Sequence, residues 1–494
     1  MKSQKRKRNY KPAIIFFGSL AISATALAAI AFLLPTSLMD YETIEYFSTA
    51  RVSSEVMWVL LALLALLPVS ILVTAKALSS KKEEVIELEG IAAAPARAAT
   101  SQITEGTASV GVSKGGYRER GETSVSSAKK TFDPSAVRFK TLTQLDEEAK
   151  SYARPTYDNT LTLARICELF RDFAAAKQGL YYDIADVRRF VASLGVSPIL
   201  ILQGMSGTGK TSLACAFGKF IHHDAAVVPV QPMWKERSDM LGYFNEFTER
   251  FNETGFLCTL YAAHYSEDMC LTVLDEMNIA RVEYYFADFL SLLELPRAKD
   301  RLLTVTSEVR PNDPKLLRDG RLCIPENMWY IGTANNDDST FAISDKVYDR
   351  AMILNLENKA QPFRAEDNDG VYLSCAHFRK LVGEAVTMYT LSEKQRENLL
   401  ALDKYLIENF HVTFGNRIMK QLECYVPVYM ACGGSEEAAL DDMISQKMFR
   451  KLDTLNPVYV HTAAPGLLQT LSELFGEETL PQCCDYVRRL NENL

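Results

Sequence analysis

The chain has 494 residues, of which 48% are hydrophobic, so it is long enough for two or three domains with sizeable cores. Its formal net charge of −8 argues against a protein whose whole surface binds nucleic acid, although a local basic patch is compatible with it. The ten cysteines form no Cys-x-x-Cys pair and do not cluster with the six histidines at zinc spacing, which favours reduced thiols.

Two long apolar segments lie near the N-terminus. They follow residues 1–11, a basic stretch with six Lys or Arg side chains that we expect in the cytoplasm. Residues 12–34 and 56–78 each match the ~20 residues needed to cross a bilayer, so they are predicted as transmembrane helices joined by an external loop, residues 35–55. The distribution of basic residues places both ends in the cytoplasm and predicts a two-span protein of the bacterial plasma membrane. A cleavable signal peptide is the alternative for the first segment.

The sequence changes character after the second apolar segment. Residues 79–136 are rich in Ala, Gly, Ser and Thr and contain few large apolar side chains, so we expect a flexible, disordered linker. In residues 137–196 apolar side chains recur at helical spacing, which predicts a helical N-terminal part of the domain that follows.

A glycine-rich segment follows the apolar run Ile199–Leu202 and has the pattern Gly-x-x-x-x-Gly-Lys-Thr. Strand, glycine loop and helix in that order are typical of a phosphate-binding loop, whereas a chance glycine turn would lack this context. Backbone N–H groups of the loop would bind the phosphates, Lys210 would reach the β- and γ-phosphates, and Thr211 would ligate Mg²⁺. The predicted nucleotide-binding residues of this segment are Gly204, Met205, Ser206, Gly207, Thr208, Gly209, Lys210, Thr211 and Ser212.

A second apolar strand, Leu271–Leu274, ends in two carboxylates. Asp275 is predicted to hold the Mg²⁺ shell, and Glu276 is predicted to polarise the attacking water. The alternative is an ordinary strand with a solvated acidic end. The preceding glycine loop favours the catalytic interpretation, because nucleoside triphosphate hydrolysis needs both groups.

A third apolar strand begins near Trp329 and ends in Asn335, which we expect to orient the lytic water or to contact the γ-phosphate. Asp338 is a further candidate to support Glu276 or the metal. Arg350 follows an amphipathic turn and fits an arginine finger supplied to a neighbouring subunit. For Arg350 the alternative is a surface salt bridge.

The order of these parts resembles that of AAA+ ATPases, and the details are most similar to the McrB and MoxR, dynein-related branch. Residues 239–243 read Asp-Met-Leu-Gly-Tyr, and residues 274–278 read Leu-Asp-Glu-Met-Asn, as in a McrB-like signature. Residues 335–338 fit the McrB pattern Asn-Thr-x-Asp except at the second position. Residues 414–417 resemble the second sensor of the helical lid, which makes Arg417 a candidate γ-phosphate contact by resemblance.

The resemblance covers about residues 155–455. It implies a P-loop AAA+ three-layer α/β sandwich over residues 197–356 and a helical lid and C-terminal region over residues 357–494. Within the latter, Ser392 is a cap-like residue and residues 441–452 show helical spacing. The resemblance also implies ring assembly, usually hexameric, and ATP with Mg²⁺ as cofactors, GTP being the alternative. McrB proteins carry a DNA-reading N-terminal domain, whereas two transmembrane segments and a linker are predicted here, which removes the main support for carrying over DNA recognition.

Three functions are compatible with the sequence. The favoured one is a membrane-anchored, Mg²⁺-dependent ATP hydrolase whose homo-oligomeric ring remodels or moves a protein partner at the cytoplasmic face of the membrane. The second is a McrB-like anti-phage or restriction NTPase that drives a nuclease or a DNA-translocating partner. The third, a non-enzymatic nucleotide-binding scaffold, is disfavoured because it has no need of Glu276. The partner, and whether nucleic acid is involved, are left open.

Overall fold

The computed structural model describes residues 137–335, 340–356 and 360–492, which belong to one compact unit. The predicted basic N-terminus, transmembrane segments, external loop and linker lie outside these residues, as does Asp338.

The predicted membrane localisation is corrected here. In the part of the chain that the structure describes, no helix is both long enough and apolar enough to cross a bilayer. The prediction depended on the hydropathy of residues 12–34 and 56–78 alone, and both segments lie outside the described residues. The assignment as a two-span membrane protein is therefore withdrawn.

Nine strands are present in the described residues. They are β1 (Ile199–Gly204), β2 (Ala226–Pro229), β3 (Gly242–Asn245), β4 (Arg250–Glu253), β5 (Cys270–Asp275), β6 (Leu302–Thr304), β7 (Arg321–Cys323), β8 (Met328–Asn335) and β9 (Met352–Asn355). The α-helices of the same ranges are α1 (Lys140–Glu148), α2 (Leu163–Gln178), α3 (Ile184–Val196), α4 (Lys210–Phe220), α5 (Arg237–Leu241), α6 (Gly255–Ala262), α7 (Val282–Tyr285), α8 (Ala287–Leu292), α9 (Asp345–Tyr348), α10 (Cys375–Met388), α11 (Glu393–Phe410), α12 (Asn416–Ala431), α13 (Glu436–Met443), α14 (Pro457–Phe475) and α15 (Pro481–Glu492).

A five-stranded parallel sheet organises the fold, with the order β2-β5-β8-β1-β9. β1 is buried at every position and β8 at all but its last, as expected for strands covered on both faces. The pairs β3–β4 and β6–β7 form separate antiparallel ribbons. Because the five strands are parallel, their carboxyl ends meet along one edge of the sheet, here called the C-terminal edge.

The sheet separates two hydrophobic cores. Leu200 and Leu202 of β1 belong to the core that includes helices α2, α3 and α4, whereas Ile199 and Ile201 belong to the core that includes α6 and α8. Successive side chains of a strand point to opposite faces, so this alternation places one helical layer on each side. The parallel α/β sheet with flanking helices matches the predicted three-layer arrangement.

The C-terminal helices continue the first core rather than forming a separate one, because residues of α11, α12 and α14 belong to the same buried cluster as α3. Gly195 of α3 shows how closely they approach. A Cβ atom there would lie 3.0 Å from Val382 of α10 and 3.1 Å from Val428 of α12. Ser392 caps α11 as predicted, since its hydroxyl accepts a hydrogen bond from the Gln395 N–H.

The segment that follows α13 departs from a regular α-helix. The helical spacing of residues 441–452 predicts one helix, but α13 ends at Met443, and a π-helical turn (Ile444–Met448) and a 3₁₀ segment (Phe449–Thr454) come next. All five residues of the π-helical turn are buried, including Lys447. Such wider turns are frequent at functional sites.

Candidate functional site

The glycine loop lies between β1 and α4 at the C-terminal edge of the sheet. Gly204, Gly207 and Gly209 have φ angles of 143°, 80° and 89°, which L side chains rarely adopt. At Gly204 an added Cβ would also lie 2.3 Å from the carbonyl oxygen of Leu356. The loop therefore needs glycine at these positions. Met205, Ser206 and Gly207 are exposed, Thr208 and Gly209 are half-buried, and Ser212 lies in the first turn of α4.

Lys210 is folded over the loop. Its side chain is buried, and Nζ donates hydrogen bonds to the carbonyl oxygens of Gly204 at 3.0 Å and Met205 at 2.8 Å. These two carbonyl oxygens help to hold the lysine ammonium at the loop, where phosphates are expected.

Thr211 and Asp275 face each other from α4 and β5. The Thr211 hydroxyl donates to Asp275 Oδ1 at 2.7 Å, which brings a hydroxyl and a carboxylate together beside the loop. Oxygen ligands of this kind suit Mg²⁺, which is usually held by one or two protein groups together with phosphates and waters. The two residues thus fit the predicted metal position. In the described residues there is no cluster of three His, Cys, Asp or Glu side chains that would hold a metal without a substrate.

Glu276 directly follows β5 and adopts a left-handed backbone conformation, with φ 52° and ψ 47°. This conformation is costly for a residue other than glycine, and such strain is concentrated at functional sites. The Glu276 N–H donates to the Thr333 hydroxyl at 2.8 Å, while its side chain is exposed at the C-terminal edge. The backbone is thus fixed by a neighbouring strand, and the carboxylate faces solvent beside Asp275.

Thr333 of β8 is a site residue that the sequence analysis missed. Its hydroxyl donates to Asp275 Oδ1 at 2.9 Å and accepts from Glu276, so one buried side chain positions both carboxylates. A signal was present in the sequence. Thr333 is a polar residue two positions before Asn335, and the period of two in a strand places both on the same face.

Asn335 ends β8 and pairs in register with Gly204 of β1, which places it at the edge where the loop begins. Its carbonyl oxygen accepts a hydrogen bond from Asn278 Nδ2 at 3.0 Å. Asn278 is buried and also donates to the Thr340 hydroxyl at 3.0 Å, so it joins the segment after Glu276 to the end of β8. The sequence analysis quoted Asn278 within a motif but gave it no role.

A cavity of about 690 Å³ lies beside the end of β9, which pairs with the residue before the glycine loop, although no residue of the loop lines it. Asn355 at the end of β9 and Asp183 at the start of α3 line it, together with residues of the C-terminal helices. Tyr182, the neighbour of Asp183, donates a hydrogen bond from its hydroxyl to the Gly209 carbonyl at 3.3 Å, which ties this wall to the loop. The volume is within the range of small-molecule sites and the lining is polar.

Arg350 and Arg417 lie at the opposite edge of the sheet. Arg350 lies two positions before β9, and its carbonyl oxygen accepts a hydrogen bond from Ser197, the residue two positions before β1. Both guanidinium groups bind the carboxylate of Glu294. The structure therefore brings Arg417 to Arg350 and not to the glycine loop of the same subunit, and its predicted contact with the γ-phosphate stays a prediction.

Lys447 and Tyr348 hold the turn that carries Arg350. The Lys447 ammonium donates to the carbonyl oxygens of Tyr348, at 2.6 Å, and Ala351. Complete burial of this ammonium lowers the pKa of Lys447 to about 7. The Tyr348 hydroxyl accepts a hydrogen bond from the Gln203 amide, so the same turn contacts the residue that precedes the glycine loop.

No protein-family model matches the chain, and no curated protein matches it. Among solved structures, it is similar to a putative ATPase from Cytophaga hutchinsonii, with 12% identity, a TM-score of 0.40, and coverage of 67% of this chain and 94% of that one. It is also similar to a full-length MCM homologue from Methanopyrus kandleri, with 10% identity, a TM-score of 0.34, and coverage of 60% of this chain and 62% of that one. These likenesses concern the fold at a coarse level.

Proposed function

We propose that the chain is an AAA+-type ATPase that hydrolyses ATP with Mg²⁺ as a ring of identical subunits and uses the reaction to remodel or move a protein partner. The observation that carries the proposal is the hydrogen-bonded set of Thr211, Asp275, Thr333 and Glu276 beside the glycine loop. A nucleotide-binding scaffold would not need an exposed carboxylate on a strained backbone at this position.

The residues divide the chemistry between them. Lys210 exchanges its two carbonyl partners for the β- and γ-phosphates. Thr211 and Asp275 would hold Mg²⁺, which would supply positive charge to the transferred phosphoryl group. Glu276 takes a proton from the attacking water, and Asn335 orients that water or contacts the γ-phosphate. Glu276 and Asn335 lie at the same edge of the sheet because their strands, β5 and β8, are adjacent and parallel.

The polar cavity near the loop is proposed to take the base and ribose. Asp183 and Asn355 offer hydrogen-bonding groups on two of its walls. Its chemistry accommodates either purine, so ATP is proposed on the resemblance to AAA+ proteins and GTP is the alternative. The McrB-like function, with a nuclease or DNA-translocating partner, stays a prediction.

The test is Glu276→Gln. We expect it to keep nucleotide binding and to lower the turnover of ATP by roughly 10²–10⁴, the usual contribution of a general base. A phosphate-release assay measures turnover, and a fluorescent nucleotide titration measures binding. Glu249→Gln is the matched control, because Glu249 also has a left-handed backbone, with φ 53°, but lies in the turn between β3 and β4. Unchanged turnover in Glu276→Gln would exclude the proposed base.

A further inference from the structure

A charged cleft of about 460 Å³ lies at the edge of the sheet opposite the glycine loop. Its walls include Ile199 at the start of β1 and the side chains of Glu294, Arg350 and Arg417. β1 has six residues, so at ~3.3 Å per residue the cleft and the loop of one subunit are about 17 Å apart. The arginines of this cleft are therefore out of reach of the nucleotide of their own subunit.

One carboxylate serves both arginines. Glu294 Oε2 accepts from Arg350 Nη2 at 3.0 Å, and Glu294 Oε1 accepts from Arg417 Nη2 at 2.5 Å. Two positive charges share one negative charge, so the group keeps an excess positive charge. Arg417 is 45% exposed and Glu294 is 36% exposed, so an approaching surface can reach the group.

The cleft also contains polar atoms whose bonding is incomplete. Arg350 Nε and Gln421 Oε1 are buried and have no hydrogen-bond partner among the described residues. Burying a polar group without a hydrogen-bond partner costs free energy, so a movement of the side chains that supplies a partner is favourable. The arginine pair thus has both spare charge and spare hydrogen-bonding capacity.

We propose that Glu294 is the exchangeable counterion that holds Arg350 and Arg417 as a pair and releases both to the phosphates of a nucleotide bound by an adjoining copy of the chain. The inference rests on the proposed function for its ligand, a nucleoside triphosphate. Half-exposed carboxylate–guanidinium pairs are weak, whereas guanidinium groups bind phosphate oxygens bidentately, so the exchange favours the nucleotide. Glu294 then acts as a positioning residue that opposes assembly until a nucleotide is present.

The test measures self-association of the full chain by mass photometry, with Mg²⁺ and a non-hydrolysable ATP analogue. Glu294→Gln keeps the side-chain shape and removes the charge, so it should associate at roughly threefold to tenfold lower protein concentration than the wild type. Arg350→Ala and Arg417→Ala should both associate more weakly. Asp288→Asn is the matched control, because Asp288 pairs with Arg237 at similar exposure on the neighbouring helix α8 and should leave association unchanged.

If Glu294 only supports the structure of the interface, Glu294→Gln should weaken self-association, because the variant removes a structural salt bridge. Association of Glu294→Gln that equals or falls below that of the wild type overturns the proposal. So does an Arg417→Ala variant that binds a fluorescent nucleotide more weakly at concentrations where the chain is monomeric, because the contact would then lie within one subunit. If the wild type binds no nucleotide, the proposed function fails first, which the binding titration shows separately.

Discussion

Replacement of Thr333 by valine removes one hydroxyl and keeps the shape of the side chain. The hydroxyl donates to Asp275 Oδ1 at 2.9 Å and accepts from the Glu276 N–H at 2.8 Å. Thr333 is 2% exposed, so water does not readily take its place. The substitution therefore tests how the two carboxylates are positioned, because it leaves both carboxylates chemically unchanged.

The size of the effect follows from these two contacts. A hydrogen bond to a charged group contributes about 1.5–3 kcal/mol, and an unpaired N–H costs about 1–3 kcal/mol. Asp275 is half-buried and Glu276 is exposed, so hydrogen bonds to water replace part of the lost free energy. We therefore expect the free energy of unfolding to fall by about 2 kcal/mol. Loss of a group that orients metal ligands typically lowers metal affinity or activity by about 10–100-fold.

The assay is steady-state ATP turnover as a function of Mg²⁺ concentration. Thr333→Val should lower turnover, raise the Mg²⁺ concentration needed for half-maximal rate, and leave metal-free nucleotide binding nearly unchanged. Thr272→Val is the control, because Thr272 of β5 is fully buried and its hydroxyl has no partner among the described residues, so its loss should not destabilise the fold. Wild-type turnover and Mg²⁺ dependence in Thr333→Val would refute the reasoning.

Two further predictions concern backbone strain and a buried charge. Gly204→Ala should lower the free energy of unfolding by more than about 3 kcal/mol in urea titrations, because its Cβ would collide with the Leu356 carbonyl. Gly207→Ala has open space around the new Cβ and should lower the free energy of unfolding by only about 1–2 kcal/mol. Equal losses in the two variants would exclude the collision. The pKa of Lys447 is about 7 when folded and near 10.5 when unfolded, so the unfolded chain binds more protons between these values and stability rises with pH across that window. In urea titrations between pH 8 and 10, the free energy of unfolding of the wild type should rise, relative to that of Lys447→Met, by up to about 1.4 kcal/mol per pH unit. The same dependence on pH in both proteins would contradict the burial of this ammonium.

The parts of the site that a single strand determines could be predicted from the sequence. β1, β5 and β8 each end at the residue that the sequence singles out there, namely Gly204, Asp275 and Asn335. An apolar run followed by a glycine or a carboxylate predicts a buried strand, and it predicts that the residue after the run lies at the C-terminal edge, which parallel strands share. The positions of these residues follow from local pattern and need no knowledge of the packing.

The contacts that the sequence analysis missed join distant segments of the chain. Arg417 lies beside Glu294 in the cleft that α12 reaches by packing against α3, and nothing local to either residue indicates this contact. Lys447 lies in an amphipathic segment where a lysine would ordinarily be solvated, and its burial follows from the π-helical turn. Thr333 has a role only through the register between β5 and β8.

A hydrogen bond between the side chains of Gln203 and Tyr348 connects the segments at the two ends of β1. Gln203 precedes the glycine loop at one end of the strand, and Tyr348 belongs to the turn that positions Arg350 at the other. A displacement of the loop therefore moves the turn with it, since one strand and one hydrogen bond connect them. In the proposed ring of identical copies, we expect this connection to couple the occupancy of one pocket to the position of the arginines presented to the next.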